Sequence, residues 1–220
     1  MTKEFNLRFL TSITLIIMLI FMLKYSVVLI STLLLVFVIS WLEFNNILEN
    51  IYQKKTNFNF KNLFKFLIFI YLLFFMKIIT DEFLQNQPNI SWNLIFTISI
   101  CILSDIGGFI FGKFFKGKKL TKISPNKTYS GMIGSFILSI GFCIIYSYSI
   151  SFVDFNTIFL LTISISFICQ IGDLFISLLK RKAKLKDTGN ILPGHGGILD
   201  RIDGILFALP FGIILINYFY

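Results

Sequence analysis

In 220 residues the chain carries 56% hydrophobic and only 14% charged side chains, a balance that excludes an ordinary soluble domain. Its apolar residues come in blocks long enough to need a non-aqueous solvent, which predicts an all-α, polytopic integral membrane protein with about seven transmembrane helices. The formal charge of +9 looks like a nucleic-acid-binding signal only until the lysines are sorted by position; they fall in alternate connections, as loops retained in the cytoplasm do, and no nucleic acid is implied.

Residues 1 to 23 have a basic start (Lys3, Arg8) and an apolar run, with no small-x-small cleavage site after it, so they read as an uncleaved first span. From Leu7 to Leu42 the chain is apolar apart from Arg8, Lys24 and a few hydroxyls. A single helix of that length would measure about 54 Å against a hydrocarbon core about 30 Å thick, so two short spans broken at Lys24 are expected. Glu43 to Asn62, with Lys54, Lys55 and Lys61, reads as a cytoplasmic loop or interfacial helix. A third span is predicted from Leu63 to Ile79, followed by an acidic outside loop from Asp81 to Ser91.

The fourth span, Trp92 to Phe111, carries Asp105, and a lysine-rich loop follows from Lys113 to Ser130. The fifth span, Met132 to Tyr148, has small residues (Gly131, Gly134, Gly141) suited to close helix packing, either within one protomer or in a homodimer. The sixth, Asn156 to Leu179, carries Gln170 and Asp173. A seventh is expected from Ile202 to Tyr220, bent at Pro210 and Gly212. The organisation predicted is residues 1–90 as N-terminal membrane helices and 91–220 as a catalytic membrane core, within one continuous membrane domain. Cys101, Cys143 and Cys169 sit in apolar blocks at spacings that match no ligand pattern, so free thiols are expected.

The chemistry concentrates between spans six and seven, in SLLKRKAKLKDTGNILPGHGGILDRID, residues 177–203. Lys180, Arg181, Lys182, Lys184 and Lys186 form a cationic mouth, and Gly194, Gly196 and Gly197 permit close backbone approach around His195, the only histidine. His195 could contact a phosphate, shuttle a proton, or order its loop by a hydrogen bond. Asp105 precedes Lys113 by eight residues and Asp173 precedes Lys180 by seven, which places each about 10 to 12 Å inside the cytoplasmic end of its helix. Asp200 and Asp203, three residues apart, share a face if the last helix already includes them. Four carboxylates are therefore expected to converge just below the cytoplasmic surface, where ionisable groups in spans usually do a job. Each taken singly could equally be a helix-end residue paired with a lysine. Hard oxygen donors without clustered His or Cys favour Mg²⁺ or Mn²⁺ over zinc. In the fourth connection Ser124, Lys127 and Thr128 offer hydroxyls and a cation to a phosphate, although a positive-inside loop alone would explain its lysines.

At these residues the chain resembles the phosphatidate cytidylyltransferases, or CDP-diacylglycerol synthases. The likeness rests on Ser177, Lys180, Arg181, Lys186, Asp187, Gly189, Pro193, His195, Gly196, Gly197, Asp200, Arg201 and Asp203, which fill every fixed position of that family's C-terminal signature. Two further blocks are similar: Ser104-Asp105 through Lys113 with Ile123 to Thr128, and Gln170 with Gly172-Asp173. Three positions depart, with Ser130 and Ile176 where the family usually has glutamate and Phe109 where a tyrosine is expected.

The resemblance implies transfer of CMP from CTP to phosphatidate, giving CDP-diacylglycerol and pyrophosphate in phospholipid biosynthesis, at a cell inner (plasma) membrane with the site facing the cytoplasm. It implies Mg²⁺ (or Mn²⁺) on a subset of Asp105, Asp173, Asp200 and Asp203, with loss of CTP incorporation in Asp200→Asn and Asp203→Asn. Lys127, Lys180, Arg181, Lys186 and Arg201 are candidates for phosphate contacts, and Ser124, Thr128, His195, Gly196 and Gly197 for nucleotide binding. A CTP-dependent lipid kinase and an ion or proton transporter are the alternatives; the latter would need acids along the outer halves of spans four and six, where there are none.

Overall fold

The computed structural model describes residues 3–52, 58–86, 91–121, 124, 127–149, 154–191 and 196–219. Among them are seven helices and no strand: α1 (Lys3–Lys24), α2 (Ser26–Ile51), α3 (Phe58–Gln85), α4 (Trp92–Phe115), α5 (Tyr129–Ser149), α6 (Phe155–Lys182) and α7 (Leu199–Phe219). Six of these, α2 to α7, are long and apolar enough to cross a membrane; the apolar part of α1, Leu10–Lys24, is shorter. The chain is a polytopic, all-helical membrane protein. It divides into two compact units, one of Met1–Ser91 with Leu179–Ile202, the other of Trp92–Leu178 with Asp203–Tyr220.

In the first unit the break between α1 and α2 is a single extended residue, Tyr25, at φ −121° and ψ 120°. It falls where a lysine interrupts the apolar run, and Lys24 Nζ lies 5.7 Å from the Tyr25 ring centroid. The buried face of α2 runs through Leu29, Thr32, Leu33, Ser40, Glu43, Phe44, Ile47 and Leu48, steps of three, four and seven that repeat on one side of a helix. Trp41 and Phe37 meet Phe69 of α3 edge-on, with centroids 5.2 and 5.4 Å apart.

Of the loop or interfacial helix expected from Glu43 to Asn62, the part from Glu43 to Ile51 is helical and continuous with α2, so the second span does not end at Leu42. Phe44, Ile47 and Leu48 extend its apolar face, and the Glu43 carboxylate finds three donors in the same unit. Likewise α3 extends past Ile79 to Gln85. Phe83 is fully buried there, and Glu82 Oε1 accepts from Ser91 Oγ at 2.8 Å and Asn86 Nδ2 at 3.1 Å.

The second unit packs Phe96, Ile100 and Cys101 of α4, Cys143 of α5, Ile158, Leu161, Ile165 and Cys169 of α6, and Ala208 and Ile216 of α7 into one core. All three cysteines are free and buried. Lipid is as apolar as leucine, so helices in a bilayer gain little by hiding apolar surface and associate through close packing and hydrogen bonds instead. Both are present. A Cβ on Gly107 would strike the Gly134 carbonyl, and one on Gly131 would lie 2.7 Å from Gly108 O, so α4 and α5 touch backbone to backbone. Ser135 Oγ donates to Ser104 O at 2.6 Å, and the Ser104 and Ser166 hydroxyls are 3.1 Å apart, tying α4 to α5 and α6.

Gly131 and Gly134 thus serve packing within the protomer, whereas Gly141 has nothing within 4 Å of where its Cβ would stand. Pro210 lies inside α7, which continues to Phe219. Gly212 receives Thr97 and Ile165 closely, with a would-be Cβ 2.6 Å from Thr97 Cγ2.

Candidate active site

Within the second unit, Asp105 comes from α4, Asp173 from α6 and Asp203 from α7. Two glycines bring the last two together. A Cβ on Gly172 would lie 2.9 Å from Asp203 O and 2.7 Å from Phe207 Cδ2, and one on Gly204 would lie 2.5 Å from Cys169 Sγ. The helices therefore approach closely immediately beside Asp173 and Asp203. These two side chains lie next to each other, and both are within electrostatic range of Asp105. Asp203 Oδ1 also accepts from Gly204 N–H at 2.9 Å, and Asp173 Oδ1 from Ser177 Oγ at 3.4 Å. Asp105 is exposed, while Asp173 and Asp203 are half-buried.

Among the described residues Lys127 meets this acidic group. Lys127 forms an ion pair with Asp173 Oδ2, each side chain 26% exposed. Its backbone is fixed by short antiparallel pairing across the α4–α5 connection, with Leu120 N–H donating to Lys127 O at 2.8 Å and Tyr129 N–H to Lys118 O at 3.0 Å. Thr128 then caps α5: its Oγ1 accepts from Gly131 N–H at 3.1 Å. Ser130, in place of the family's glutamate, pairs with Thr128 Oγ1 at 2.9 Å and accepts from Gly117 N–H at 3.3 Å. Ser124 donates its N–H to Thr121 Oγ1 at 3.2 Å and accepts from Lys127 N–H at 3.1 Å. Ile176 is fully buried, and Phe109 is exposed, with Lys113 Nζ 5.7 Å from its ring centroid.

In the first unit the residues after α6 build a second constellation. The helix end is closed by Leu185 N–H to Lys180 O at 2.9 Å and Lys184 N–H to Arg181 O at 3.1 Å, with Lys184 left-handed at φ 59°. This is the double bond of a Schellman ending, with lysine where glycine is usual. Asp200, in the first turn of α7, binds Lys180 Nζ through Oδ1 at 2.6 Å. Its Oδ2 accepts from Thr188 N–H at 2.8 Å and Gly197 N–H at 3.1 Å. Gly196 makes this approach possible: its φ is +82°, and a Cβ would lie 3.0 Å from Asp200 Oδ2.

The Lys180 and Asp200 side chains are only 13% and 6% exposed, so removing one partner strands the other. Lys180→Ala is expected to cost about 2 kcal/mol, moderated by the donors Asp200 keeps. The double variant with Asp200→Asn should recover most of that in thermal unfolding.

Arg181, Lys186 and Arg201 are exposed, and His195 lies outside the described residues. Of the four predicted carboxylates, three sit together in the second unit and Asp200 is held in the first. Glu43 and Thr188 escaped the sequence reading. The available signal was Glu43 itself, a carboxylate closing the apolar run from Tyr25 to Leu42, a position where charge needs a reason.

Fold and site define a class: a polytopic helical membrane protein whose chemistry-bearing groups are carboxylates at helix crossings and lysines in the turns beside them. Residues 1–219 match the sequence model of the Cytidylyltransferase family, and the chain belongs to that family. It is 43% identical over 122 residues to the phosphatidate cytidylyltransferase of Staphylococcus saprophyticus, covering 53% of this chain and 46% of that protein. With the protein of the same name from Rickettsia bellii it shares 41% identity over 137 residues, 58% of this chain and 59% of the other. With that from Bacillus subtilis it shares 38% over 139 residues, 62% and 52%. The chain spans about half the length of the curated relatives it matches.

Proposed function

We propose that this chain is a phosphatidate cytidylyltransferase, transferring CMP from CTP to phosphatidate to give CDP-diacylglycerol and pyrophosphate. The observation that carries the reading is the acidic group Asp105, Asp173 and Asp203 with Lys127 beside it, in a chain of the Cytidylyltransferase family whose relatives bear that name. A membrane protein with charged groups at helix ends suits one water-soluble polyanion and one lipid-anchored substrate. We place the site at the cytoplasmic face of the cell inner membrane on the strength of the lysine-bearing connections.

The reaction needs in-line attack by a phosphatidate phosphate oxygen on the α-phosphorus of CTP. One P–O bond forms, and the bond from that phosphorus to the bridging oxygen breaks, its electron pair leaving with pyrophosphate. A phosphate monoester is largely dianionic at neutral pH, so the nucleophile asks little of a general base. The residues' task is positioning and charge neutralisation. Lys127, Lys180, Arg181, Lys186 and Arg201 would hold phosphate oxygens, Ser124 and Thr128 would offer hydroxyls, and the glycines Gly196 and Gly197 would let the nucleotide lie close to backbone.

Among the described residues no group of three or more His, Cys, Asp or Glu stands in ligand geometry. The donor chemistry nevertheless fits a hard divalent cation: three carboxyl groups from three helices lie within electrostatic range of one another, with Lys127 paired to Asp173, and a cation would offset charge among them. Asp105, Asp173 and Asp203 would hold Mg²⁺ or Mn²⁺, which when bound supplies charge neutralisation at the phosphate oxygens. Asp200, with both oxygens engaged by Lys180, Thr188 and Gly197, would serve by fixing Lys180.

The test is purified protein with phosphatidate, Mg²⁺ and CTP labelled separately at the α and γ phosphates. Entry of the α label into lipid is the expected result. Entry of the γ label would make the protein a lipid kinase and overturn the proposal, as would no entry of either.

A further inference from the structure

Helix α2 carries a carboxylate that the proposed reaction does not use. Glu43 is only 4% exposed, and an ionised side chain persists in such a place when its oxygens are saturated with donors. They are. Oε1 accepts from Ile198 N–H at 3.0 Å, and Oε2 accepts from Leu199 N–H at 2.8 Å and the Thr188 hydroxyl at 2.8 Å. The two amides belong to the opening of α7, where helical N–H groups lack intrahelical partners and the dipole favours negative charge.

The glycines of the segment close around this carboxylate. A Cβ on Gly189 would come within 2.8 Å of Glu43 Oε1, and one on Gly197 within 2.6 and 2.7 Å of its two oxygens. The signature's small residues therefore have a steric cause in a helix some 150 positions earlier in the chain, as the 155 and 156 residue separations of those hydrogen bonds record.

Contacts continue from Glu43 toward the cationic mouth. The Thr188 hydroxyl has one proton and two carboxylate oxygens in reach, Glu43 Oε2 at 2.8 Å and Asp200 Oδ2 at 3.0 Å. Asp200 in turn grips Lys180. A fixed Glu43 thus fixes Thr188, then Asp200, then the ammonium of Lys180.

We propose that Glu43 is a positioning residue for the reaction: without touching substrate, it locks the start of α7 and, through Thr188 and Asp200, sets Lys180 for phosphate contact. The substrate in this statement rests on the cytidylyltransferase reading; the geometry does not. Glutamine in its place keeps the shape but offers one acceptor oxygen, and its NH₂ faces an amide N–H. Aspartate keeps the charge and falls short by a methylene.

The experiment compares the intact purified protein with Glu43→Gln, Glu43→Asp, Thr188→Val, the Glu43→Gln/Thr188→Val double variant, and Glu49→Gln. Glu49, also on α2, pairs at the surface with Lys61 and Lys65 and is the control. Turnover is measured across CTP and phosphatidate concentrations, and amide hydrogen exchange without nucleotide.

Glu43→Gln is expected to lower kcat/KM for CTP about 10- to 100-fold, the range seen when a partner orienting an active group is removed. The change should lie in KM for CTP more than in KM for phosphatidate. Glu43→Asp should recover part of it, and Thr188→Val should add little to Glu43→Gln. Exchange should quicken about tenfold at residues 196–202 and stay unchanged in α3.

Wild-type kcat/KM in Glu43→Gln overturns the proposal. So does a loss accompanied by faster exchange throughout the chain, which marks general loosening. If the wild type incorporates no CTP label, the reaction reading falls by itself and exchange decides the positioning: local quickening sustains it, and unchanged exchange overturns it.

Discussion

Asp203→Asn should reduce cytidylyl transfer to lipid about a thousandfold, the scale on which removing one charge-stabilising group lowers turnover, while leaving the protein folded. The separation of the two effects follows from the contacts. Asparagine keeps an oxygen where Asp203 Oδ1 accepts from Gly204 N–H at 2.9 Å, and its NH₂ can donate to Asp173, which lies beside it. One of several acidic groups held close together is then gone, so the variant should unfold at a slightly higher temperature than wild type in chelator.

Divalent metal should reverse the order. At a hundred times its dissociation constant, bound Mg²⁺ would stabilise the wild type by about 2.7 kcal/mol, and the variant, short of a ligand, should gain little. Thermal unfolding with and without Mg²⁺, alongside α-labelled CTP turnover, measures both. Retention of more than about a tenth of turnover, against the expected thousandfold loss, would remove Asp203 from the site.

Gly107→Val is the second large effect and acts on folding. Its Cβ would meet Gly134 O and C and Ser135 Cα, the latter two at 2.8 and 3.0 Å. These are backbone atoms of a helix and cannot swing aside, so α4 and α5 would have to part. Parting would also strain the 2.6 Å bond from Ser135 Oγ to Ser104 O and shift Asp105, two residues before Gly107. Overpacking at a backbone-to-backbone contact is expected to cost about 3 kcal/mol or more, read as loss of monodisperse protein or a lowered unfolding midpoint in detergent. Gly141→Ala is the matched control. Nothing stands within 4 Å of the new methyl group, so it should stabilise the helix by about 0.5 to 1 kcal/mol.

The spans were legible because a bilayer demands long apolar helices, and the break at Lys24 appears within a residue of where the charge falls. Helix ends were not. Glu43 read as a residue of a loop or interfacial helix and Glu82 as a loop residue, because composition cannot show that a carboxylate will meet donors, and donors decide whether a helix can carry one into a buried place. The candidate carboxylates were equally plain, since acids are rare in spans. Their grouping was not: Asp203 joins Asp173 because Gly172 and Gly204 let two helices nearly touch, a tertiary fact absent from either segment. Thr128 drew notice for its hydroxyl as a phosphate contact, and the sequence did not show that the same oxygen accepts from Gly131 N–H at the head of α5.

The hydroxyl links from Ser135 to Ser104 and from Ser104 to Ser166 bear on how the second unit responds to cold. Water-driven association weakens as temperature falls, because its driving force near room temperature is entropic. Bonds between serines in a medium that offers no competing partner have no such dependence. A bundle joined this way should keep its helices in register in a chilled, stiffened bilayer.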